Sequence, residues 1–272
     1  MITEAHSESV PVCPFTTLVD ARWHPDSVNA LHAPPPGIPA SRYHRHAPPH
    51  LTMTFDLFDA LPADPDTPPA SEPLGAGAVV LRGFARDVDT RLLATVDQVR
   101  AQAPFRHLIT PGGLRMSVAM TNCGEAGWVS DRTGYRYDPV DPDSGVPWPP
   151  MPEVFRSLAE RAAASAGYPG FAPDACLINR YLPGTRLSLH QDRDELDLRA
   201  PIVSVSLGLP ATFLWGGLRR ADKPARIRLA HGDVVVWGGP SRLVFHGIAP
   251  LADDDHALTG RTRINLTFRK TR

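Results

Sequence analysis

The chain has 272 residues, 42% hydrophobic and 21% charged, with a formal net charge of -1, the composition of a soluble protein with one sizeable core. Its three cysteines, Cys13, Cys123 and Cys176, are odd in number and show no C-x-x-C spacing, which excludes a disulfide framework or zinc ribbon and points to a reducing cytoplasm. No apolar run is long enough to cross a bilayer and residues 1–30 lack the pattern of a signal peptide, so membrane and export readings drop out.

A balanced charge is neutral on nucleic acid, because binding needs a local basic surface rather than a basic total. The positive charge consists of 26 Arg and 2 Lys, which reads as a composition bias and identifies no partner. Residues 1–52 carry A-P-P-P-G, H-A-P-P-H and scattered His without hydrophobic period, the pattern of a disordered extension. Met53 opens M-T-F-D-L-F and is a candidate translation start, so 53–272 is the expected catalytic domain. The Pro-rich stretch Leu61 to Pro73 reads as a spacer before a strand-like run, Gly77 to Leu81.

Leu92, Leu93, Val96 and Val99 predict a helix over Asp87 to Ala103, with Asp available as a cap and Pro104 as the stop. Val154, Phe155, Leu158 and Ala162 predict a second over Pro152 to Ala166, entered by Pro and left at Gly167. Both should pack outside a sheet. The C-terminal half reads as strands: Ala175 to Leu182, Ile202 to Leu209, Thr212 to Trp215, Arg226 to Ala230, Asp233 to Trp237, Arg242 to His246 and Arg261 to Arg269. Short strands punctuated by Gly and Pro, without a fixed repeat, indicate a sandwich or jelly roll.

His-x-Asp is a weak signal, since it occurs three times, at His24, His190 and His231. The first copy lies in the Pro-rich extension and the third, with Gly232 at its centre before V-V-V-W, reads as a turn entering a strand. The second follows an extended segment, R-Y-L-P-G-T-R-L-S-L, so His190 and Asp192 should share a face. His246 ends the predicted strand R-L-V-F-H and could face them inside a barrel. Two His and one carboxylate leave positions open on a non-haem Fe(II) ion, whereas zinc favours a closed four-coordinate set.

The last strand carries the next signal. In R-T-R-I-N-L-T-F-R, Thr262, Ile264, Leu266 and Phe268 form one face while Arg263, Asn265 and Arg269 share the other. Buried Arg needs a compensating anion, so this face predicts an acidic ligand, with Asn179 and Tyr181 as neutral partners for it. Iron beside a dicarboxylate-binding Arg implies 2-oxoglutarate.

These residues, with T-P-G-G-L-R-M-S-V-A-M-T-N-C-G, P-D-A-C-L-I-N-R-Y, L-S-L-H-Q-D-R-D-E, P-I-V-S-V-S-L-G-L-P and H-G-D-V-V-V-W-G-G, resemble the bacterial AlkB-type Fe(II)/2-oxoglutarate dioxygenases from about Met53 to Arg269. The resemblance implies a mainly β double-stranded β-helix (jelly roll) with flanking helices, its core at about 175–269, and a nucleotide-recognition lid at about 105–140. It implies iron on His190, Asp192 and His246, and 2-oxoglutarate on Asn179, Tyr181, Arg263, Asn265 and Arg269, with O2 as second cosubstrate. Trp128 would stack on the damaged base and Asp194 would meet its exocyclic amine. Tyr135, Thr110, Arg186, Arg193 and Arg220 would lie near the nucleic acid backbone, and Met120 and Ser204 would line the pocket. Arg186 and Arg193 stand where relatives carry Lys, which keeps the charge but alters backbone contacts.

The implied activity is oxidative demethylation of 1-methyladenine and 3-methylcytosine in single-stranded or flipped DNA, with RNA a further substrate, by a monomer that releases formaldehyde, succinate and CO2. The alternatives are a dioxygenase of the same chemistry acting on a non-nucleic-acid substrate, and a non-catalytic jelly-roll binding module.

Overall fold

The computed structural model describes residues 70–272. The expected extension, the candidate start at Met53, His24 and most of the Pro-rich spacer lie outside them. The last residues of that spacer are part of β1 (Ser71–Gly75), a mostly exposed edge strand whose proline needs no partner for an absent N–H. Next come β2 (Ala78–Leu81), α1 (Asp89–Gln102), β3 (Ala119–Gly124), β4 (Gly127–Asp131), β5 (Gly134–Asp138) and α2 (Glu153–Ser165). The C-terminal half supplies β6 (Ala175–Tyr181), β7 (Leu187–His190), β8 (Ile202–Gly208), β9 (Ala211–Trp215), β10 (Ala225–Leu229), β11 (Val234–Trp237), β12 (His246–Ile248) and β13 (Arg263–Arg269).

The strands form a larger sheet, β1-β2-β11-β8-β13-β6-β3, a smaller one, β10-β9-β12-β7, and the hairpin β4-β5. Alternation along the central strands explains the layering. Val203, Val205, Leu207, Ile264, Leu266 and Phe268 face α1 and α2, where Leu92, Val96, Phe155 and Leu158 meet them in one apolar layer. Ile202, Val235, Trp237 and Tyr181 face the opposite way and meet Phe213, Trp215 and Ile248 of the smaller sheet. Both helices thus cover one sheet, as expected, and the site lies between the two sheets. The region before residue 175 adds β1, β2 and β3 to the expected core; β3 falls inside the range read as lid but is a strand of the larger sheet.

Two local expectations are corrected. Helix α1 is preceded by a 3-10 turn, Arg86–Val88, and its first turn has no side-chain cap; Asp89 instead binds His231 Nε2 at 2.9 Å. Segment Arg242 to Phe245 is not strand. Ser241 and Gly239 carbonyls accept turn bonds from Val244 and Arg242, so His246 begins a strand rather than ending one. The His231 turn reads as expected: Gly232 has φ 85° and the Asp233 carboxylate accepts from the backbone of Gly83 and Ala230 and from Arg82. Cys123 and Cys176, far apart in sequence, lie opposite each other across β3 and β6 as buried free thiols.

Candidate metal centre and binding cavity

His190 is the last residue of β7 and pairs directly with His246 of β12, so the ladder itself sets the two imidazoles side by side, with centroids 4.4 Å apart. Each Nδ1 lies against a carbonyl oxygen, Ser188 at 2.9 Å and Val244 at 3.0 Å. A carbonyl only accepts, so each Nδ1 carries the proton and each Nε2 presents its lone pair. Burial, reinforced by His190, pushes the His246 pKa down to about 4, which leaves its ring neutral near pH 7.

Asp192 lies two residues beyond β7, in a segment without regular structure. Its Oδ1 is 3.6 Å from His190 Nε2 and its Oδ2 is 3.9 Å from His246 Nε2. One ligand atom from each of the three residues fits within a 4.8 Å cluster, so the trio could hold a metal ion. Burial alone would raise the Asp192 pKa, but Arg269, with the two imidazoles, holds it well below the usual carboxylate range. The donor set, two imidazoles and a carboxylate, suits Fe(II).

The cavity beside this cluster encloses about 700 Å³. It is lined by Asn179, Tyr181, Arg263, Asn265 and Arg269 at its inner wall and by Thr110, Trp128, Tyr135, Arg186, Arg193, Asp194 and Arg220 elsewhere, with Met120 and Ser204 also on its surface. Every residue singled out from the sequence therefore meets the same space.

The two cationic residues of β13 find different compensation. Arg269 donates through Nε and Nη2 to Asp192 Oδ2, at 3.1 and 2.8 Å, and its Nε lies 3.3 Å from Glu195. Arg263 is 1% exposed and meets only Ser206 Oγ, at 3.0 Å, and the face of Tyr181. Its Nε and Nη1 have no hydrogen-bond partner, nor has the indole N–H of Trp237 in the same cavity. Burial lowers the pKa of Arg263, opposed only by Tyr181. Orphaned buried donors are costly, and a carboxylate ligand is the group that removes the cost. The residues present therefore fit a dicarboxylate such as 2-oxoglutarate. Asn265 is spent differently, donating to Ser204 Oγ and Val205 O, and it orients Asn179 through a 3.3 Å bond.

At the mouth, Trp128 of β4 stacks on Tyr135 of β5, with centroids 5.5 Å apart and planes 13° apart, and its indole N–H donates to Asp194 at 2.8 Å. Arg186, Arg193 and Arg220 are exposed there. Sequence reasoning missed Trp237, although alternation through V-V-V-W puts it on the inner face, where it packs edge-on against His246 at 4.9 Å. It also missed Tyr137, Glu195 and Arg242, for which no periodicity gives a signal.

The 2OG-Fe(II) oxygenase superfamily matches residues 77–269. The chain is 60% identical over 205 residues to the alpha-ketoglutarate-dependent dioxygenase AlkB of Escherichia coli K12, covering 75% of this chain and 95% of that one. The chain belongs to the AlkB branch of the 2OG-Fe(II) oxygenase superfamily. An AlkB homolog of Caulobacter vibrioides is 47% identical over 172 residues, 63% of this chain and 76% of its own. The solved structure of OsALKBH1 superposes with a TM-score of 0.67 at 30% identity, covering 74% of this chain and all of that one. As an AlkB-type enzyme the chain is an Fe(II)- and 2-oxoglutarate-dependent dioxygenase, and the jelly-roll reading of its fold holds.

Proposed function

We propose that this enzyme repairs nucleic acid by oxidative removal of N-alkyl groups, with 1-methyladenine and 3-methylcytosine in DNA as its principal substrates and RNA as a further one. The observation that carries the substrate class is the mouth of the cavity. A stacked Trp128 and Tyr135 pair, an acidic acceptor at Asp194 and exposed Arg at 186, 193 and 220 surround one opening above the His190 and His246 pair. An indole face accepts any base by stacking, while Arg and hydroxyl groups such as Thr110 take phosphate oxygens.

In this reading His190, Asp192 and His246 hold Fe(II), and Arg263 anchors 2-oxoglutarate with Tyr181, Asn179 and Asn265 beside it. The loaded iron centre supplies the oxidising power to hydroxylate a methyl C–H bond while 2-oxoglutarate is converted to succinate and CO2. The chain's own contributions are positioning and exclusion of water. Arg269 fixes the Asp192 carboxylate, Trp128 takes the extruded base against its ring, and Asp194 accepts from the exocyclic amine that adenine and cytosine share. Met120 and Ser204 bound the pocket. Methylation of the pairing edge abolishes pairing, which makes extrusion of the damaged base cheap and selects it. Hydroxylation leaves a hemiaminal that collapses to formaldehyde and the unmodified base. The enzyme acts as a monomer.

Mass spectrometry of a single-stranded oligonucleotide carrying one 3-methylcytosine tests this. Incubation with enzyme, Fe(II), 2-oxoglutarate and O2 should remove one methyl group per lesion with equimolar formaldehyde. Retention of the methyl group, with 2-oxoglutarate still consumed, would assign the chemistry to a substrate other than nucleic acid.

A further inference from the structure

Asp192 is held by no strand ladder, because residues 191–195 have no regular structure. Its orientation is set by side chains arriving from elsewhere. Arg242 Nη1 donates to the Asp192 carbonyl, Arg269 donates twice to its Oδ2, and Gln191 Nε2 pins the neighbouring turn to the Leu243 carbonyl. Both arginines converge on Glu195, whose side chain is 1% exposed. Arg242 Nη2 lies 2.9 Å from its Oε2 and Arg269 Nε lies 3.3 Å from its Oε1. The four groups, two carboxylates and two guanidiniums, balance in charge, which is what permits their burial.

The fifth member comes from outside this cluster. Tyr137 of β5 donates its hydroxyl to Glu195 Oε1 at 2.6 Å, and burial together with the nearby carboxylates keeps that phenol protonated. Across the hairpin Tyr137 pairs directly with Trp128. Hairpin β4-β5 is thus fastened to two consecutive carboxylates, Trp128 to Asp194 and Tyr137 to Glu195, two and three residues beyond Asp192. Displacing the hairpin would break the shortest bond to Glu195, the carboxylate that Arg242 and Arg269 share.

We propose that Tyr137 and Glu195 are positioning residues that couple the base-stacking hairpin to the orientation of the metal carboxylate, so that engaging a base on Trp128 and tightening of Asp192 are one event. The inference rests on the reading of Trp128 as the base platform and of Asp192 as a metal ligand. Its substance is a coupling free energy, and coupling is reciprocal: occupied base site and occupied metal site must favour each other by the same factor.

The test uses the full chain with Mn(II) as metal, 2-oxoglutarate, and an oligonucleotide carrying one 3-methylcytosine. Mn(II) affinity is measured by calorimetry or paramagnetic resonance with and without the oligonucleotide. The wild type should bind Mn(II) about fivefold or more tighter with oligonucleotide present, within the usual range of coupling between sites. Tyr137→Phe, which removes one hydroxyl, should bring that ratio close to one while leaving oligonucleotide-free Mn(II) affinity within about twofold of wild type. Arg242→Lys should instead weaken Mn(II) binding already without oligonucleotide, because Arg242 donates directly to the Asp192 carbonyl. A wild-type ratio of one, or a Y137F ratio equal to that of wild type, overturns the proposal. Hydrogen exchange on the wild type gives a second measurement that needs no variant. Oligonucleotide should protect residues 191–196 together with 127–138, and protection of the hairpin alone overturns the coupling. Failure of the wild type to bind the methylated oligonucleotide at all overturns the substrate reading instead, and failure to bind Mn(II) overturns the metal reading.

Discussion

Arg263 and Arg269 occupy the same face of one strand, yet only one of them has its charge matched by the chain. Arg269 faces Asp192 and Glu195, whereas Arg263 has two nitrogens without a partner. This difference makes opposite predictions for stability and binding at one residue. Replacing a buried ion by an apolar side chain of similar volume is often stabilising by about 1–4 kcal/mol. Arg263→Met should therefore melt higher than wild type in the absence of ligand, while 2-oxoglutarate affinity falls at least about 100-fold, a loss of about 3 kcal/mol. Thermal melts with and without 2-oxoglutarate read both effects, and a variant that melts lower without ligand would contradict the picture of an uncompensated cation. Asp192 behaves in the reverse sense. Asp192→Ala should cost about 3 kcal/mol even without metal, because it strips Arg269 of its nearest carboxylate.

At the scale of elements, the segment that follows the hairpin is held by an ion pair. Arg106 sits between α1 and β3 and donates to both oxygens of the buried Asp141, clamping the segment that follows β5. Burial of Asp141 raises its pKa, but the bonds from Arg106 more than offset this and the value lies below normal. A depressed folded value means the folded chain binds fewer protons, so this stabilisation is present above the ordinary Asp pKa and is lost as pH falls through the folded value. Asp141→Asn should cost about 2 kcal/mol at pH 7, the scale of hydrogen bonds to a charged group. The gap to wild type should close as the pH is lowered below about 4. Urea denaturation at pH 7 and pH 3 checks it, and a gap of constant size would remove the ion pair from the account. Gly124 shows a different control: φ is 120° and a Cβ there would lie 2.3 Å from the Asp174 carbonyl, so the β3 end closes on β6 only with glycine.

For the whole molecule, the site lies between two sheets that the helices buttress from one side, so ligands that bind it stabilise the whole fold by mass action. Mn(II) at about 100 times its dissociation constant should add about 2.7 kcal/mol. For a domain of this size that raises the melting temperature by roughly 5–10 °C. Scanning calorimetry measures the increment, which Asp192→Ala should abolish; an unchanged increment would place the metal elsewhere. No helix among the described residues is long and apolar enough to cross a membrane.

Sequence alone determined the features that follow from period and local chemistry. The inward face of β13, the pairing of Asn179 with Tyr181 on β6, the two amphipathic helices and the turn at Gly232 could each be read from neighbours within a few residues, because alternation and helical spacing are properties of the local backbone. The hairpin β4-β5 gave no such signal, since the residues of β5 are mostly half-buried and the hairpin's partners lie more than 50 positions away, at Asp194 and Glu195. Only the tertiary structure decided that His246 opens a strand and pairs with His190, that Asp192 leaves the ladder, and that Arg269 is claimed by carboxylates while Arg263 is not. The physical reason is common to all of them. The identity of a metal-ligating or charged side chain is written locally, but its orientation depends on which distant group balances its charge, and that balance exists only once the sheets have closed.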